Sequence, residues 1–239
     1  MKAAPVVLAL LALAPLRAQG DEGPALYATY CASCHGARGQ GSPDAPPLIG
    51  KPAVDVHFML DSGRMPAPAP SVNEIPRQPR FSQAQIAEIV RYVLSFSPVR
   101  PNDALPHVVL GDATRGRELF AANCAQCHGA AGDGASVGAA DVAPDLSTAS
   151  IFQVGEAVRA GPGVMPRFGP RVLRDRDVDD IAAYIDLVRT RANEPKGIDA
   201  GGFPLAHVGP VAEGIVAWFF GLGALVLFAR RVGTAGKDR

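Results

Sequence analysis

Two stretches decide how this chain is read: Cys31-Ala32-Ser33-Cys34-His35-Gly36 and Cys124-Ala125-Gln126-Cys127-His128-Gly129. Between them they hold all four cysteines of the 239 residues. Around each, the same order of features recurs. A short helical stretch precedes the cysteines. A Gly/Pro-rich loop follows, then Met-Pro, then an amphipathic stretch with one Tyr. The offset is 93 positions for the first cysteine (124 − 31) and 100 for Met65 and Met165. For Tyr92 and Tyr184 it is 92. A period this long is duplication of a whole domain, not a solenoid repeat.

Cys-x-x-Cys alone fits zinc, redox or disulfide chemistry; His in the next place makes it the attachment signature of a c-type haem. The spacing sets two thiols under the two vinyl groups of a porphyrin and brings an imidazole to its iron. The sequence thus predicts two covalently attached haem c groups, held by Cys31 and Cys34 and by Cys124 and Cys127, with His35 and His128 as proximal iron ligands. Each imidazole Nδ1 is expected to donate to a backbone carbonyl, which orients the ring. Met65 before Pro66 and Met165 before Pro166 are the sixth-ligand candidates; Met59 or His57 could stand in for Met65. A thioether ligand favours ferrous iron and fills the coordination sphere, which points to electron transfer and to no catalytic site on this chain. Structural zinc is the rival, but it needs further ligands that do not recur at matching positions.

Composition supports this. Lys and Arg total 23 and Asp and Glu total 23, so the net charge is zero and a nucleic-acid binder is disfavoured. Aromatic residues are only 6 %, thin for two small cores, so another apolar body is expected at each centre.

The helices are legible in part. The first is expected from about Gly23 to Cys31. A second is expected from Ser82 to Phe96, with Ser82 as N-cap and Ile86, Ile89, Val90 and Val93 as its inner stripe. Asp112 or Thr114 begins a helix reaching Cys124. The last of the second copy spans about Asp175 to Arg189, with Val178, Ile181, Ile185 and Val188 inward. The prediction is an all-α chain: two tandem haem domains at 22–98 and 111–190, with linkers at 99–110 and 191–207.

The ends point to a membrane. Residues 1–18 read as a signal peptide, with a retained N-terminal anchor as the alternative: an early Lys2, an apolar run from Ala3 to Leu16, and Ala18 near a cleavage site. From Val208 to Ala229 only Glu213 is charged, so 208–229 is the expected transmembrane helix. Arg230, Arg231, Lys237 and Arg239 mark 230–239 as a cytoplasmic tail and leave the haem domains on the extracytoplasmic side of the cell membrane.

Both copies resemble the small helical class I cytochrome c domain, over about 22–97 and 111–190. Gly23 and Tyr27 with Tyr92 look like that family's pairing of first and last helices, and Gly116 and Phe120 with Tyr184 repeat it. Pro46-Pro47-Leu48 and Pro144-Asp145-Leu146 resemble its Pro-x-Leu, whose Pro carbonyl holds the proximal His. The whole order, with Gly63-Arg64-Met65-Pro66, Pro79-Arg80-Phe81 and the run from Gly209 to Trp218, resembles the dihaem cytochrome c subunit of actinobacterial-type cytochrome bcc complexes, which are quinol–cytochrome c reductases. That resemblance implies a fixed subunit beside a cytochrome b subunit. It would take electrons from the Rieske iron–sulfur protein and pass them to cytochrome c oxidase. The alternatives are a membrane-tethered dihaem shuttle and a dihaem peroxidase-like enzyme. Met65→His or Met165→His is expected to lower the reduction potential of one haem strongly, as read by a redox titration. An unchanged titration would show the wrong ligand.

Overall fold

The computed structural model describes residues 22–68, 75–99, 102–138, 141–192 and 210–235. The signal segment 1–18, most of 191–207 and the end of the tail lie outside them. The described chain is mostly helical, and it divides into two compact units. One runs up to Pro106 and also takes in Glu156–Phe168; the other comprises His107–Gly155 and the chain from Gly169.

In the first unit, α1 (Gly23–Tyr30) runs straight into the single turn α2 (Ala32–His35). A loop leads to α3 (Ala53–Asp61), and α4 (Gln83–Leu94) closes the unit. Ser82 caps α4 through a reciprocal capping box: its side chain accepts from the Gln85 amide and the Gln85 side chain accepts from the Ser82 amide. The predicted stripe Ile86, Ile89, Val90 and Val93 is buried as expected, with Tyr27, Val56, Leu60 and Phe81 around it. Gly23 lets α1 touch α4. A Cβ there would lie 2.5 Å from the Glu88 carbonyl oxygen and 3.1 Å from Tyr92 Cβ.

The helix α3 lies where the sequence reading has only loop. Its nine residues bury Val54, Val56, Phe58 and Leu60, so apolar side chains leave it on two sides and no single stripe announces it. Val56 and Leu60 join the main core. Val54 and Phe58 pack on Ala160, with Met59 and Ala157 at the edge. The segment Glu156–Phe168 is thus held to α3 by an apolar cluster, and two polar contacts described below reinforce it.

In the second unit, α5 (Ala113–Asn123) continues into α6 (Ala125–His128). Asp112, not Thr114, is the cap, accepting from the amides of Thr114 and Arg115. A short antiparallel ladder, β1 (Ala135–Gly138) with β2 (Asp141–Ala143), occupies part of the Gly-rich loop. Next come α7 (Ile151–Ala160), which crosses the boundary between units, and α8 (Asp175–Ala192). The inner positions Val178, Ile181 and Ile185 are buried; Val188 is half-buried. Gly116 sits against the Asp180 backbone as Gly23 sits against Glu88. Beside that contact Arg115 binds both Asp177 and Asp180, and Arg174 binds Asp177 at 2.9 Å. The guanidinium groups of Arg174 and Arg115 hold the Asp177 carboxyl well below the usual carboxylate range.

The last helix is α9 (Pro210–Ala235). Within it Gly214–Val232 spans 19 exposed residues, uncharged from Gly214 to Ala229 and ending in Arg230, Arg231 and Val232. At 1.5 Å per residue that is about 28 Å, close to the thickness of a bilayer's hydrocarbon core. A helix apolar on all faces and covered by nothing fits a membrane anchor.

Gly23→Ala is expected to destabilise the first unit by about 1–3 kcal/mol, because both opposing atoms belong to a helix that must shift. Thermal unfolding of the purified protein measures this, and a wild-type transition would count against the close α1–α4 contact.

Candidate haem-binding sites

Each Cys-x-x-Cys-His is a helix that breaks and restarts. Cys31 and Cys124 share the same backbone angles, φ −122° and ψ −38°. That kink ends α1 and α5 and begins the next single turn. The His35 amide donates to the Cys31 carbonyl at 2.9 Å, and His128 repeats this with Cys124 at 2.9 Å. Gly36 and Gly129 follow with φ 80° and 76°, a region that other residues rarely adopt. The chain then turns back, with Gly41 donating to the His35 carbonyl at 2.7 Å and Gly134 to that of His128 at 2.8 Å.

These turns aim the imidazoles. His35 Nδ1 lies 2.8 Å from the Pro46 carbonyl oxygen, and His128 Nδ1 lies 3.1 Å from that of Pro144. A ring that donates from Nδ1 keeps Nε2 open as a metal ligand. Both rings are buried, at 8 % and 9 % exposure. Tyr27 and Tyr92 meet edge-on with centroids 5.5 Å apart, and Phe120 and Tyr184 meet at 5.3 Å. The Tyr27 hydroxyl donates to the Gly36 carbonyl at 2.7 Å, tying the first core to the turn. Burial pushes its pKa up to about 12. Burial likewise pushes the thiols of Cys31 and Cys124 up to about 11.

In the first unit these groups open on a cleft of about 320 Å³. Cys31, His35 and Met65 line it together, with Leu48, Leu60, Ile89 and Val93 as apolar walls. Two thiols at the turn, an imidazole with a free Nε2, a thioether and apolar walls fit a covalently held haem. Met59 also lines the cleft, and its carbonyl accepts from the Met65 amide at 2.8 Å. His57 is engaged elsewhere, its Nδ1 being 2.7 Å from Glu156. Its pKa is raised, chiefly by that contact, while burial raises the Glu156 carboxyl. Arg167 closes on Asp55 at 2.8 Å. Sequence reading missed both ion pairs, since each joins residues of different repeats and no local pattern links them. Of the linker histidines, His107 is exposed and His207 lies outside the described residues.

In the second unit Cys124, Cys127 and His128 repeat the proximal half. Met165 belongs to Glu156–Phe168, so it is described with the first unit and His128 with the second. Among the described residues, no three or more His, Cys, Asp or Glu gather as a metal cluster.

The family model described as "Cytochrome c" matches residues 20–97. That described as "Cytochrome C oxidase, cbb3-type, subunit III" matches residues 111–185. The fold and both turns therefore define a protein of two cytochrome c domains, a class that binds haem c covalently. A Mycobacterium tuberculosis "Cytochrome bc1 complex cytochrome c subunit" is 38 % identical over 219 residues, covering 88 % of this chain and 76 % of that protein. The Corynebacterium diphtheriae protein so described is 32 % identical over 231 residues, covering 90 % and 80 %. The chain belongs to this family, the cytochrome c subunits of cytochrome bc1 complexes, which are oxidoreductases. More distant is a Cereibacter sphaeroides "Cbb3-type cytochrome c oxidase subunit CcoP", 29 % identical and covering 69 % of this chain and 59 % of that one.

Replacing Cys31 and Cys34 together with Ala is expected to halve the haem that stays on the chain after denaturation, measured as a pyridine haemochrome per polypeptide. Full retention would place the attachment elsewhere.

Proposed function

We propose that the chain is a membrane-anchored dihaem subunit that takes electrons from the Rieske iron–sulfur protein and passes them to cytochrome c oxidase within one assembly containing cytochrome b. The haem domains lie on the extracytoplasmic side and the C-terminus is cytoplasmic. The observation that carries this reading is the twice-built turn with its imidazole–proline carbonyl contact, on a chain that aligns with bc1-complex subunits over most of its length.

Each haem, when bound, supplies a one-electron Fe(III)/Fe(II) couple. The protein's part is to hold and tune that couple. Cys31 and Cys34 fix one group and Cys124 and Cys127 the other. His35 and Met65 would hold the first iron, His128 and Met165 the second. The Pro46 and Pro144 carbonyls keep each imidazole in one tautomer and one orientation. Leu48, Leu60, Ile89 and Val93 exclude water from the first cleft, which favours the less charged ferrous state. With His and Met both held to it, each iron would be suited to electron transfer, and the quinol chemistry would belong to the partner subunits. The anchor α9 keeps the domains at the membrane surface.

Affinity purification from native membranes in gentle detergent, followed by mass spectrometry and a quinol-oxidation assay, tests the reading. Cytochrome b, Rieske and oxidase subunits are expected to co-purify with activity. A lone dihaem protein without it would point instead to a tethered shuttle.

A further inference from the structure

The first cleft carries an asymmetry that the axial ligands do not explain. Apart from His35, the charged side chains lining it are Lys51, Asp55 and Arg167. Arg167 spends one terminal nitrogen on Asp55, donating to the two carboxylate oxygens at 2.9 and 2.8 Å. Its Nε and other terminal nitrogen have no partner among the described residues, nor has the Lys51 ammonium. Two cations face one carboxylate, so this part of the lining keeps an excess positive charge beside apolar walls.

A haem c is amphiphilic. Its vinyl edge is consumed by the thioether bonds, and its two carboxylates leave from the opposite edge. With Cys31 at the first edge, the cationic donors among the described lining residues are left for the second. Arg38 does not line the cleft, and Arg64 does not either: its guanidinium stacks over the Phe58 ring, 4.8 Å from the centroid. We propose that Lys51 and Arg167 form the carboxylate-binding site of the first cleft, taking the propionates of the haem held by His35 and Met65. This rests on the haem reading of the preceding subsection. Asp55 acts as a positioning residue. It engages one guanidinium nitrogen and leaves the rest of the planar fork for a carboxylate, a recognition that Lys does not reproduce in full.

The assignment makes one short segment serve two purposes. Arg167 comes from the second sequence repeat and follows Met165 by two residues. Gly161, Pro162 and Gly163 of the same segment also line the first cleft.

The test uses the full-length protein in its membrane complex. Arg167→Gln, Arg167→Lys and Lys51→Gln are compared with Arg171→Gln, a control outside the lining. Each is titrated by spectroelectrochemistry from pH 6 to 9, and the propionate bending band is recorded by resonance Raman. The first haem is identified as the one that Met65→His displaces. Removing the Arg167 charge is expected to lower the equilibrium constant for reducing that haem by about three- to tenfold. It is also expected to make that constant fall with rising pH. An unpaired propionate binds a proton more readily, and most readily next to ferrous iron. The propionate band is expected to shift in the same variant, and Arg167→Lys to restore most of the equilibrium constant. Lys51→Gln is expected to act in the same direction. A first haem whose potential, pH profile and propionate band all match wild type in Arg167→Gln would overturn the proposal. So would a shift confined to the second haem. A chain with no thioether-linked haem at all would overturn it together with the reading beneath it.

Discussion

An imidazole free to spin is a poor iron ligand, and the hydrogen bond from His35 Nδ1 to the Pro46 carbonyl removes that freedom. Most of the first unit serves this contact. The kink at Cys31 points the ring inward. Gly36 reverses the chain so that Pro46 can return beneath it. The Tyr27 hydroxyl grips the turn, and Tyr27 itself is locked by Tyr92 and Phe96. The helix α1 approaches α4 closely because Gly23 has no Cβ. The second unit reaches the same end with the same turn, while its first and last helices are further pinned by Arg115, Asp177 and Asp180.

Local chemistry made much of this legible in the sequence. Cys-x-x-Cys-His is a contiguous signal, and duplication doubles it. The capping box at Ser82, the inner stripe of α4 and the glycine–aromatic pairs are all written within one helix or between two recognisable ones. The apolar tail reads as an anchor because nothing else is so long without a charge.

What escaped reading depends on distant pairing. The α3 helix is short and apolar on two sides, since it packs on the core and on Ala160 together. From sequence it looks like more loop. The pairs His57–Glu156 and Asp55–Arg167 join residues about a hundred positions apart. Each partner alone resembles an ordinary solvated charge. The β1–β2 ladder also escaped, its backbone bonds lying in a stretch whose glycines signal only a loop.

The segment Glu156–Phe168 makes the first unit discontinuous along the chain. A polypeptide is synthesised from its N-terminus, so Cys31, Cys34 and His35 emerge long before this segment does. Until then Val54, Phe58, His57 and Asp55 on α3 lack their packing and ion-pair partners. The cleft is correspondingly open on the side that Gly161, Pro162 and Gly163 later line. The last wall of the first cleft thus arrives only with the second repeat. Cutting the chain between the repeats would therefore not yield two independent modules, because the first would be left permanently unfinished.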